Sequence, residues 1–147
     1  MNIVPATRLL GDLNDLFPAL TSPIRDNQVA CPSYAWLSGP FADFVRANVQ
    51  TYVPEKFDCD DFALKTVVLA TEALNESDDL SNCGHSIGIC YLHINGNLNG
   101  VTDGNHATNI VRIDDGRLVF FEPQNRGIID ARGVVRDGIA KPYFYQL

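Results

Sequence analysis

The stretch His106-Ala107-Thr108-Asn109-Ile110-Val111-Arg112-Ile113-Asp114-Asp115-Gly116-Arg117-Leu118-Val119-Phe120-Phe121-Glu122 decides the fold. Two runs rich in β-branched and aromatic residues flank an Asp-Gly step, the strongest short-range signal for a β-hairpin. Upstream, Ile87, Ile89 and Tyr91 alternate with Gly88, Cys90 and Leu92, which reads as a further strand. Asn95-Gly96 marks a turn, and the Gly- and Asn-rich stretch 96–105 reads as a mobile loop. Tyr143 to Leu147 is read as a closing edge strand.

The pattern before this sheet is helical. Leu9, Leu10, Leu13, Leu16, Phe17 and Leu20 recur at helical spacing, and 21–39 reads as loop. Ser38-Gly39-Pro40 is a helix start, followed by an apolar face at Phe41, Phe44, Val45 and Val49 that Pro54 closes. Asp58 is the N-cap of a third helix that buries Phe62, Ala63, Thr66, Val67 and Ala70 and ends in the polar stretch 75–82. Helices first and antiparallel strands second predict an α+β domain, with N-terminal helices packed on one side of a C-terminal antiparallel β-sheet.

A chain of 147 residues fits one domain, 1–147, with a real hydrophobic core. The net charge of −7, with no basic stretch, argues against nucleic acid or an anionic membrane as partner. The apolar runs are too short to span a bilayer, and Met1 to Pro5 lacks the pattern of a secretory signal. A cytoplasmic location is therefore expected, and Cys31, Cys59, Cys83 and Cys90 read as free thiols.

Cys59 stands on the first turn of the third helix, where unpaired backbone N–H groups and the helix dipole favour thiolate over thiol. His106 and the Glu122-Pro123-Gln124-Asn125 run follow it. Cysteine, then histidine, then an orienting acid or amide is the chain order of a papain-like thiol site. The hairpin tests this. With a three-residue loop, Thr108 opposes Glu122 and His106 opposes Gln124, so His106, Glu122 and Gln124 share a face. With a two-residue loop, His106 opposes Asn125 and Glu122 turns away. Glu122 is preferred, because a carboxylate both sets the imidazole tautomer and stabilises the imidazolium. An oxyanion donor besides the Cys59 N–H is needed, with Gln50, Asn48 and Gln28 as candidates.

Cys59-Asp60-Asp61-Phe62-Ala63, His106-Ala107-Thr108-Asn109 and Phe120-Phe121-Glu122-Pro123-Gln124 resemble the papain-like C-terminal protease domain of the Marasmius oreades agglutinin family. More distantly, they resemble the bacterial transglutaminase-like cysteine peptidases. The likeness covers roughly 52–127, and no sugar-binding repeat is present. It implies a papain-like fold and a calcium-dependent cysteine peptidase acting on a protein or peptide substrate. In that reading Cys59 is the nucleophile, His106 the base and Glu122 the third member; Gln124, placed on their face by the hairpin count, is a further catalytic candidate.

The charges around Cys59 support calcium independently. Asp58, Asp60 and Asp61 oppose thiolate formation, and a hard cation on their oxygens would relieve this. Asp58 and Asp60 are the preferred ligands, with Asp61 third, and Asn99, Asp103 and Asn105 are candidates to complete the set. The function expected is a calcium-dependent thiol hydrolase of peptide or amide bonds. The alternatives are a transglutaminase-like acyl transferase, or an inactive calcium-dependent binding module or inhibitor of a host protein. Cys83, His85, Cys90 and His93 form a rival metal set whose spacing fits no zinc pattern.

Overall fold

The computed structural model describes residues 1–17, 26–49, 58–75, 83–98, 100–122, 125 and 127–147. In chain order these form β1 (Asn2–Pro5), α1 (Ala6–Leu16), β2 (Gln28–Cys31), α2 (Tyr34–Trp36), a π-helical turn (Leu37–Phe41), α3 (Ala42–Asn48) and α4 (Cys59–Asn75). β3 (Gly84–His85), β4 (Ile87–Leu98), β5 (Val101–Arg112), β6 (Leu118–Glu122), β7 (Gly127–Asp130), α5 (Ala131–Arg136) and β8 (Ala140–Gln146) follow.

The strands make two sheets, ordered β1-β2-β3 and β7-β6-β5-β4-β8. The larger sheet is antiparallel throughout. Its centre is the hairpin read from sequence. Ile113 N–H donates to the Arg117 carbonyl at 3.0 Å, and Gly116 takes φ +95°. The pairs Asn109–Phe121 and Arg112–Leu118 follow the three-residue register, so the two-residue alternative is out. A positive φ is nearly free for glycine and costly for most other residues, which is why the loop ends on Gly116.

The expected arrangement of N-terminal helices on one side of a C-terminal sheet is corrected. The chain opens on a strand, and 21–39 contains β2 rather than loop alone. Helices also cover both faces of the large sheet. On one face α1, with Leu9 and Leu13, packs against Cys90, Leu92, Ile94, Ile110, Leu118 and Phe120. On the other, Phe41, Val45, Phe62 and Leu69 pack against Ile87, Val111, Val119 and Phe121. The physical reason lies in β6: Leu118, Val119, Phe120 and Phe121 are all buried, and a run without polar alternation is a strand covered twice.

Two local expectations also change. The second helix starts at Ser33, whose hydroxyl accepts from the Trp36 N–H at 3.2 Å. Pro40 lies inside the π turn and not at a start. Proline has no N–H to give and crowds the carbonyl four residues back, and the wider turn accommodates it. The supposed mobile loop 96–105 is largely strand. β4 runs through Asn95-Gly96 with a register shift between Ile94 and Asn97, Gly96 takes φ +101°, and its N–H donates to Asp103 Oδ1 at 2.6 Å. Asn-Gly here makes a bulge, not a turn.

A buried charge ties the two sheets to α1. Arg112 is 5% exposed; its Nε donates to Asp12 Oδ2 at 2.6 Å and its Nη1 to Cys31 Sγ at 3.5 Å. Among the described residues no helix is long and apolar enough to cross a membrane.

Candidate functional site

α4 begins at Cys59, and the Asp58 carbonyl accepts its first bond, from the Phe62 N–H at 3.0 Å. The helix lies over β5, which carries His106. What sets their relation is Asn109, buried at 1% exposure. Its amide donates to the Ala63 carbonyl of α4 at 2.9 Å and to the Gly88 carbonyl of β4 at 3.2 Å. Asn109→Leu is therefore expected to cost about 2 kcal/mol, because two buried carbonyls lose their donor. Chemical denaturation checks this.

Cys59, His106 and Glu122 come together as read from sequence. His106 Nε2 lies 2.6 Å from Glu122 Oε1, both side chains mostly buried. The other ring nitrogen is left for the Cys59 sulfur, which lines the same cleft. The His106 imidazole, aided by the Ala107 N–H, pulls the Cys59 thiol below its usual range, although burial and the Asp58 charge push the other way. Burial is the largest effect on His106 and lowers it. The neighbouring Cys59 and Glu122, with the charges on both, outweigh it and hold the imidazolium up to about 9. Both shifts favour a thiolate–imidazolium pair backed by a carboxylate, an arrangement that can supply a nucleophilic sulfur and a ring able to hold or return a proton.

The three residues line a cleft of about 530 Å³ with Phe62, Val101, Asn105 and Asn125. Gln124 and Gln50 lie outside the described residues. Asn48 donates to the Phe44 carbonyl at 2.8 Å within its own helix, and Gln28 is exposed on β2; neither lines this cleft. The sequence reading missed Asn109. Its only signal was a polar residue at an inward position of an otherwise apolar strand.

Among the described residues one group of acidic or metal-ligating side chains is close enough to share an ion: Asp58, Cys59 and Asp60, with ligand atoms within 4.8 Å of one another. Asp61 is not in it. Asp58 Oδ1 is enclosed without a hydrogen-bond partner. The Asp58 carboxyl is raised above its ordinary value, first by the adjoining Asp60 carboxyl, then by burial and the neighbouring charges. Crowded carboxylates with an unsatisfied oxygen fit a hard cation. Asp103 is bonded to Gly96 and Asn105 to His93, while Asn99 lies outside the described residues. The rival set is dispersed in use: His85 bonds Thr71 and the Ile87 N–H, His93 bonds Asn105, and Cys90 is buried in the core.

Two solved structures are similar over 99% of this chain. One is described as the "PSL1a-E64 complex", with TM-score 0.74 and 21% identity over 51% of that chain. The other is Polyporus squamosus lectin bound to the human-type influenza-binding epitope Neu5Acα2-6Galβ1-4GlcNAc, with TM-score 0.73 and 22% identity over 49% of that chain. This chain spans about half the length of those lectin chains and shares the fold of that half. A comparison with curated proteins finds no match. These findings correct the papain-like assignment of family and fold class. They also correct the readings as a calcium-dependent cysteine peptidase, a transglutaminase-like acyl transferase, and an inactive calcium-dependent module or inhibitor: what the chain is similar to is a lectin. Residues 28–137, more than half of the chain, match the Ricin-type beta-trefoil lectin C-terminal domain, and the chain belongs to that family.

Proposed function

We propose that the protein is a carbohydrate-binding lectin in which this domain supplies an activated-thiol site. The carbohydrate part rests on the family and on the glycan that the Polyporus squamosus lectin holds. The thiol part rests on one observation: Cys59, His106 and Glu122 line one cleft, with His106 Nε2 2.6 Å from Glu122 Oε1. In this reading Cys59 is the nucleophile toward an electrophilic carbon of a ligand in the cleft. His106 keeps the sulfur ionised, and Glu122 keeps His106 protonated and oriented.

The two parts are tested separately. Site-resolved labelling with iodoacetamide at pH 7 should modify Cys59 far faster than the half-buried Cys83, and equal rates would remove the thiol reading. Titration calorimetry with Neu5Acα2-6Galβ1-4GlcNAc should give binding that Cys59→Ser leaves intact. No heat of binding would withdraw carbohydrate recognition from this half of the lectin.

Asp58 and Asp60 are the proposed calcium ligands. A bound Ca²⁺ would neutralise the carboxylates that oppose the thiolate. Calcium at one hundred times its dissociation constant is expected to stabilise the fold by about 2.7 kcal/mol. Thermal unfolding with Ca²⁺ and with EGTA measures this, and Asp58→Asn with Asp60→Asn should abolish the difference.

A further inference from the structure

We propose that Tyr91 and Phe144 form a subsite for an uncharged aromatic or apolar ring carried by the ligand that Cys59 engages. The proposal rests on the thiol reading above and adds the chemistry of what that thiol meets.

Cys59 and Ala107 line the same cleft. Ala107 pairs with Tyr91 across β5 and β4, and Tyr91 pairs with Phe144 across β4 and β8. Paired residues share a face, and neighbouring strands are about 4.8 Å apart. The line from Ala107 to Phe144 therefore crosses two strand spacings, about 10 Å. It belongs to the face that α4 covers, because Ile87, Asn109 and Val111, of the same parity, meet that helix. α4 begins at Cys59, so the sheet beyond its first turn is not roofed by it.

The rings are left open to a ligand. Phe144 is 45% exposed on the edge strand, and its ring lies 5.6 Å from that of Tyr91 at 53°. A tilted pair leaves ring faces uncovered, and such faces take another ring or an apolar group. The local charge selects among ligands. Asp58 and Asp60 flank Cys59, with ligand atoms within 4.8 Å of one another, so with no cation bound the thiol is approached through a negative field. A carboxylate on the ligand is repelled there, and a neutral ring is not.

Three reagents with one leaving group read the subsite. In each the Cys59 sulfur displaces iodide, so only the group carried along differs. N-benzyliodoacetamide should alkylate Cys59 faster than iodoacetamide, by up to about tenfold, with no such gain at Cys83. Iodoacetate should be the slowest of the three at Cys59. Phe144→Ala and Tyr91→Ala should each reduce the benzyl gain while leaving the iodoacetamide rate within about twofold, which reports an intact thiol site. A benzyl gain absent from the unaltered protein, or undiminished in both variants, overturns the subsite. Iodoacetamide reacting no faster at Cys59 than at Cys83 overturns instead the thiol reading beneath it.

Discussion

His106→Ala is expected to slow iodoacetamide alkylation of Cys59 at pH 7 by about tenfold or more. A free thiol with a pKa near 8.5 is only a few per cent ionised at pH 7, so a neighbour that lowers it raises the thiolate fraction. A thiolate of lower pKa is intrinsically less nucleophilic, with a Brønsted slope of about 0.4–0.5, and this returns part of the gain. In the unaltered protein the rate–pH curve should turn at a pH below the usual thiol range, since the His106 imidazole lowers Cys59. In His106→Ala the inflection should move up. Rates unchanged by the substitution would mean that the imidazole does not activate the sulfur.

The same pair gives stability a pH signature with two signs. His106 is raised in the fold from 6.5 to about 9, so its contribution is complete below 6.5 and is lost as pH rises through about 9. Cys59 is lowered from 9.0, so its contribution is complete above 9.0 and is lost as pH falls through the lowered value. Both describe one ion pair, which is strongest between the lowered thiol value and about 9. Glu122→Gln keeps the shape and removes the carboxylate charge, and should bring the His106 titration down from about 9 when followed by NMR.

Arg112→Met is expected to be the most destabilising single change outside the apolar core, at about 3 kcal/mol, or about 10 °C in Tm. The guanidinium is enclosed between α1, β2 and β5, and it holds Asp12 at 2.6 Å. Removing it leaves a largely buried carboxylate with weaker partners, Arg8 at 3.7 Å and Arg132 at 3.6 Å. Asp12→Leu combined with Arg112→Met should recover most of the loss, because neither charge is then left unpaired. A double variant no better than the single one would show that the arginine acts through its aliphatic packing.

Much of the site was legible along the chain. Asp58 and Cys59 announce a helix start, and the Asp-Asp-Gly loop carries its register into the strands, so His106 and Glu122 fall on one face by counting. Asn109 and Arg112 were not legible as anchors. Their partners, Ala63, Gly88, Asp12 and Cys31, lie far away in sequence, and no spacing rule connects them. The papain-like class was inferred from three short motifs. Such motifs record local chemistry, and similar chemistry occurs on many folds.

Neighbours along the chain fixed the start of the third helix, the three-residue hairpin, and the order of cysteine, histidine and carboxylate. Contacts between distant segments decided that helices cover both faces of the large sheet, that 96–98 and 101–105 belong to a bulged pair of strands, and that Cys59 and His106 line one cleft. Local geometry follows from backbone torsions and side-chain periodicity, which a short window contains. The packing of α4 on β5 depends on contacts between distant segments, and it exists only once the whole core has formed around them.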